Sequence, residues 1–140
     1  MAISAALVKE LREKTGVGMM DCKKVLQETN GDIDAAIKSL REKGLSKAAK
    51  KSDRSTKEGR VVTHINNNTA VILELNCETD FVASNDNFIQ LGKTVAKAVS
   101  ENSVQSADEI KELSIDGSKI SEIISDAVLQ LGENINIGQF

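Results

Sequence analysis

Side chains able to do covalent chemistry are few in this 140-residue chain: one histidine, His64, and two cysteines, Cys22 and Cys77. A nucleophilic cysteine needs a base within hydrogen-bond reach, and nothing in the spacing brings His64 to either thiol. A lone histidine in an alternating stretch reads as a packing or surface residue. The cysteines lie far apart, with neither metal-ligand nor redox spacing. No catalytic residue, metal or cofactor is expected. What remains is the chemistry of contact, carried by two segments. In Thr15-Gly16-Val17-Gly18-Met19-Met20, the adjacent methionines lie about 100° apart on a helix. One is expected in the core and the other on the surface, where methionine is an adaptable contact residue; partial burial of both is the bland alternative. In Glu74-Leu75-Asn76-Cys77-Glu78-Thr79-Asp80-Phe81-Val82-Ala83-Ser84-Asn85, the bulky apolar pair Phe81-Val82 follows three polar residues, Glu78, Thr79 and Asp80. Either Phe81 tucks under a sheet while Asp80 or Ser84 caps a helix, or Phe81 projects as a rigid aromatic anchor into a pocket on another protein.

The elements that must position these segments can be read from punctuation and period. Ser4 caps a helix bearing Leu7, Val8 and Leu11, with Gly16 past its end. A second helix runs from about Met19 to Thr29, with Met19, Cys22, Val25 and Leu26 at helical spacing and Gly31 as its stop. Asp32 caps a third bearing Ile33, Ala36, Ile37 and Leu40, which Gly44 is expected to end. From Gly59 the period becomes two: Arg60–Ile65 and Ala70–Cys77 flank Asn66-Asn67-Asn68-Thr69 as a β-hairpin. Val71, Leu73, Leu75 and Cys77 share the face that must be covered. Two amphipathic helices are available for this, one with Phe88, Leu91, Val95 and Val99. The other carries Ile120, Ile123, Ile124, Ala127, Val128 and Leu131, and Gly132 stops it. Asn134-Ile135-Asn136-Ile137 alternates like a further strand. The expected fold class is α+β: a three-helix bundle over 1–44, a basic helical linker over 45–58, and a small antiparallel sheet with helices on one face over 59–140.

Composition narrows the function classes. Hydrophobic residues at 40% and charged residues at 28% are those of a globular chain. No apolar run is longer than that of Ala70–Leu73, far short of the roughly 20 residues of a membrane span. The N-terminus shows no basic flank leading into an apolar stretch, so no secretory signal is expected. With no tryptophan or tyrosine and only three phenylalanines, base stacking on single-stranded nucleic acid is disfavoured. Residues 1–60 hold 14 Lys/Arg against 9 Asp/Glu, whereas 61–140 hold 4 against 12. The basic stretch Lys47, Lys50, Lys51, Arg54 and Lys57 is either a solvated face or a contact for an acidic protein surface or RNA phosphates.

Leu11-Arg12-Glu13-Lys14-Thr15-Gly16-Val17-Gly18-Met19-Met20-Asp21-Cys22-Lys23-Lys24-Val25-Leu26 and Glu74-Leu75-Asn76-Cys77-Glu78-Thr79-Asp80-Phe81-Val82 resemble the two signature segments of the bacterial elongation factor Ts family, in the right order and separation. The likeness extends through Gly132-Glu133-Asn134-Ile135-Asn136-Ile137. It implies a ubiquitin-associated-like module, a linker and the first lobe of a core domain. It also implies a cytoplasmic, non-enzymatic guanine-nucleotide exchange factor for elongation factor Tu, the GTPase that delivers aminoacyl-tRNA. Positions matching Thr79, Asp80, Phe81 and Val82 would enter the partner's G domain, with Asp80 and Phe81 inserting. Those matching Arg12, Met19, Met20 and Lys23 would rest on the same domain. No direct nucleic-acid or membrane contact is implied. The chain stops at Phe140, where relatives continue into a second lobe. Ile135, Ile137 and Phe140 are therefore expected to have less cover, and the strand edge could pair with a second copy as a homodimer. The competing reading is a general protein-interaction adaptor acting through the three-helix module alone.

Overall fold

A computed structural model describes residues 2–140. Helix α1 spans Ala5–Thr15: the Ser4 hydroxyl accepts from Leu7 N at its start, and Gly16, in the left-handed region at φ +68°, returns its N–H to Arg12 at its end. Helix α2, Met19–Glu28, buries Cys22, Val25 and Leu26. Helix α3, Ile33–Lys51, starts at Asp32, whose carboxylate accepts from Ala35 N. The three enclose a small core of Val8, Leu11, Val17, Cys22, Val25, Leu26, Ala36 and Leu40.

Gly44 does not end α3 as expected. The helix continues through it for almost two further turns, because Gly44 is a packing position. A Cβ there would lie 3.3 Å from the Ser125 carbonyl oxygen on α7 (Ile120–Leu131). Close approach of the two helices outweighs the weak helix propensity of one glycine, about 1 kcal/mol.

Strands β1 (Glu58–Asn66) and β2 (Thr69–Cys77) form the hairpin, in register from Glu58 opposite Cys77 to Asn66 opposite Thr69. β5 (Asn136–Ile137) joins the other side of β2 antiparallel, giving the sheet order β1-β2-β5. Helix α5 (Asp86–Ser100) lies across the inner face, and the missing side chain of Gly92 admits Val62 beneath it. Phe88, Leu73, Leu75, Val95, Ile120 and Val128 are central to the larger core. Four short elements were not legible in the period: the single turn α4 (Asp80–Ala83), α6 (Ala107–Glu112), and the two-residue strands β3 (Ser114–Ile115) and β4 (Ser118–Lys119). Ile135 and Ile137 are buried, against the expectation of thin cover, while Phe140 is exposed, in line with it. On the outer face of the hairpin, Val61, Ile65 and Ile72 are exposed.

Candidate functional site

Thr79 leaves β2 in extended conformation, and its hydroxyl accepts from Val82 N, starting the one-turn helix α4. Four residues cannot sustain a helix alone, so tertiary bonds must hold this turn. The Glu133 carboxylate supplies them. Its Oε1 accepts from Glu78 N at 3.2 Å and Thr79 N at 3.0 Å. Its Oε2 accepts from the Thr79 hydroxyl at 2.7 Å. A reciprocal bond runs back, from Asn134 N to Glu78 Oε1 at 2.8 Å. Arg54 also reaches that oxygen, at 3.4 Å, and the two donors hold the Glu78 carboxyl below its ordinary pKa. The buried Asn134 side chain donates to the carbonyls of Ser52 and Arg54. Three distant stretches, 52–54, 78–79 and 133–134, are thus strapped together directly beneath α4.

On that turn the side chains diverge. Val82 is buried at 9% exposure and anchors α4 to the core, whereas Phe81 is 84% exposed. Asp80 is exposed beside it. At this exposure the Phe81 ring is not a packing residue of its own chain. The candidate residues of the N-terminal bundle are also at the surface. Met19 and Met20 are 57% and 78% exposed, so neither is a core residue; Val17 fills the inward position instead. Lys23 is exposed one turn later, and Arg12 is exposed on α1.

The two groups are connected through the C-terminal half of α3. Asp21, next to Met20, lies 3.8 Å from Lys47. Lys51, one turn along the same face, donates to the Gly132 carbonyl at 2.6 Å, adjacent to Glu133. Three members of the basic stretch, Lys47, Lys51 and Arg54, therefore have partners within the chain.

The thiols do not build a reactive site. Both are buried; desolvation, with the Glu133 charge second, pushes Cys77 up to about 11, and desolvation raises Cys22. His64 faces Val71 while Cys77 faces Glu58, six positions along the strand, or about 20 Å. Among the described residues, no three His, Cys, Asp or Glu side chains gather as metal donors. No helix among them is long and apolar enough to cross a membrane.

Residues 78–140 match the family model described as Elongation factor TS. The elongation factor Ts of Campylobacter fetus subsp. fetus is 53% identical over 142 aligned residues, covering 100% of this chain and 40% of that protein. That of Idiomarina loihiensis is 49% identical over 137, covering 98% of this chain and 47% of the relative. The chain belongs to the elongation factor Ts family. It spans less than half the length of these curated relatives. Both contact segments lie inside the span aligned with the relatives, whereas the family-model match on 78–140 holds only the second of them, together with Glu133 and Asn134. Sequence reasoning gave Asn134 as the first residue of a strand and Glu133 only as part of the family likeness, and neither as a site residue. The available signal was their position directly after the helix stop Gly132, where free backbone and side-chain groups cluster.

Proposed function

We propose that this chain binds elongation factor Tu and promotes release of GDP so that GTP can bind, acting as a translation elongation factor without covalent chemistry. The 84% exposure of Phe81 on a strapped turn carries the reading. The contact surface comprises Asp80 and Phe81 on α4, with Met19, Met20 and Lys23 on α2 and Arg12 on α1; Thr79 and Val82 support the turn from within. Exchange follows from linkage: a factor that prefers the nucleotide-free partner weakens nucleotide binding by the same factor. A thousandfold effect needs about 4 kcal/mol, and burying one phenylalanine yields about 1.5–3 kcal/mol. Phe81 must therefore act as a wedge that also displaces groups holding the nucleotide, with the α2 surface supplying the remaining affinity.

The test is release of fluorescently labelled GDP from elongation factor Tu, with the parent chain and with Phe81→Ala. Acceleration by the parent and a maximal rate at least tenfold lower with the variant are expected. Equal rates for both would remove the wedge. The adaptor reading has less support, since a bundle acting alone leaves the exposed Phe81 without a role.

A further inference from the structure

We propose that Glu133 is the positioning residue of the exchange site: its carboxylate holds the backbone from which Asp80 and Phe81 project. The inference rests on the exchange reading above and deepens it. Phe81 is 84% exposed and makes little contact with its own chain, so its direction is set by the backbone of α4. That backbone is set in turn by Thr79, whose hydroxyl accepts from Val82 N at 3.4 Å. All three hydrogen bonds of the Glu133 carboxylate fall on Glu78 and Thr79, the two residues before Asp80. Bonds from an ionised carboxylate to backbone N–H are the strong kind, and here two N–H groups converge on one oxygen while the hydroxyl takes the other.

The Glu133 side is itself fixed from three directions. Lys51 holds the preceding carbonyl of Gly132, Glu78 receives the following N–H of Asn134, and the Asn134 side chain is tied to 52–54. The carboxylate is thus a rigid post and the turn is the part it orders. Without the post, the turn samples other conformations and only a fraction of molecules presents Phe81 correctly. Apparent affinity then falls by that fraction, while the chemistry of release, once bound, does not change. Positioning therefore predicts that half-saturation rises while the maximal rate holds, and it differs from general damage to the fold in that the loss of order is confined to Glu78 and Thr79.

Exchange is measured as labelled-GDP release from elongation factor Tu against increasing concentration of the 140-residue chain. For Glu133→Ala, the half-saturating concentration is expected to rise about tenfold with the maximal rate within about twofold of the parent. Glu133→Gln, whose amide oxygen still accepts both backbone N–H groups but whose amide nitrogen cannot accept from the Thr79 hydroxyl, is expected to fall between the alanine variant and the parent. Glu133→Asp keeps the charge but falls a methylene short, and is expected to behave like alanine. Amide exchange in the free chain should accelerate at Glu78 and Thr79 in the alanine and aspartate variants, with the β2 amides unchanged. Parental half-saturation in both would overturn the assignment, as would a fall in maximal rate with half-saturation unmoved. So would general loss of amide protection in both, because that assigns Glu133 to the fold as a whole. Failure of the parent to accelerate release at all would instead overturn the exchange reading, so the two failures are distinct.

Discussion

Phe81 and Phe88 are seven positions apart and have opposite fates, which lets one residue type separate contact from stability. Phe88 is fully buried in the larger core, whereas Phe81 is 84% exposed. Phe88→Ala is expected to lower unfolding free energy by about 3–5 kcal/mol, and Phe81→Ala to change it by less than about 0.5 kcal/mol, both read by urea denaturation. A large loss for Phe81→Ala would show that the ring packs inward. A second prediction at this scale concerns acid. The Asn134 N–H, with Arg54 second, holds the Glu78 carboxyl below its ordinary range. A depressed carboxyl contributes stability above its unfolded pKa, and that contribution is lost as pH falls through the folded value. Asp126 works in the opposite sense: burial raises it, outweighing the Arg41 charge, so it loses stability as pH rises. Thermal midpoints measured between roughly pH 5 and pH 3 should fall less steeply for Glu78→Gln than for the parent. Identical slopes would remove Glu78 from the acid response.

At the scale of elements, Gly44 is the clearest test of how the two helical layers meet. Its missing Cβ is 3.3 Å from a backbone oxygen of α7, and backbone does not yield as a side-chain tip would. Gly44→Leu is expected to destabilise by about 1–3 kcal/mol through overpacking, although leucine is the better helix former. Gly18, with open space around it, should accept alanine with little change. A neutral Gly44→Leu in thermal unfolding would mean that α3 and α7 are not closely packed. The same position shows why sequence reading reached its limit. Ser4, Asp32, Gly16 and Gly132 act locally, on bonds within a few residues, and their stop and start signals were legible. Gly44 carries the same letter for a non-local reason, an approach to Ser125 on α7, far along the chain. The methionines failed similarly: a 100° separation places one inward only if no other residue fills that space, and Val17 does. In the contact segment, the peculiarity of Phe81 was visible, but its outward direction depends on bonds from Glu133 that no local pattern contains.

For the whole molecule, the charge difference between the halves is partly absorbed by the fold itself. Arg41 reaches Asp126 and Ser118, and Arg54 pairs with Glu78, so basic residues of the first 60 positions meet groups of the acidic remainder. The two cores also share elements: Leu129 of α7 packs against the N-terminal cluster, and Ala48 of α3 packs against the larger one. Helix α3 is thus a continuous strut running from the bundle to the strap beneath Phe81. If the strut fixes the methionine surface relative to the aromatic turn, breaking it should uncouple them without touching either. Ser46 is exposed on α3, between Gly44 and Lys47. Ser46→Pro removes one helical hydrogen bond and clashes with the carbonyl four residues earlier, a perturbation of about 3 kcal/mol or more. The parent is expected to unfold in urea in a single transition by far-ultraviolet circular dichroism. The variant is expected to show an earlier first phase, as the small bundle loses the support that a core of its size requires. Its half-saturating concentration for GDP release should rise as well, because two contacts held on one rigid body bind with a shared ordering cost that separated contacts do not have. A single parental transition in Ser46→Pro would show that the bundle and the sheet are held together by something other than this helix.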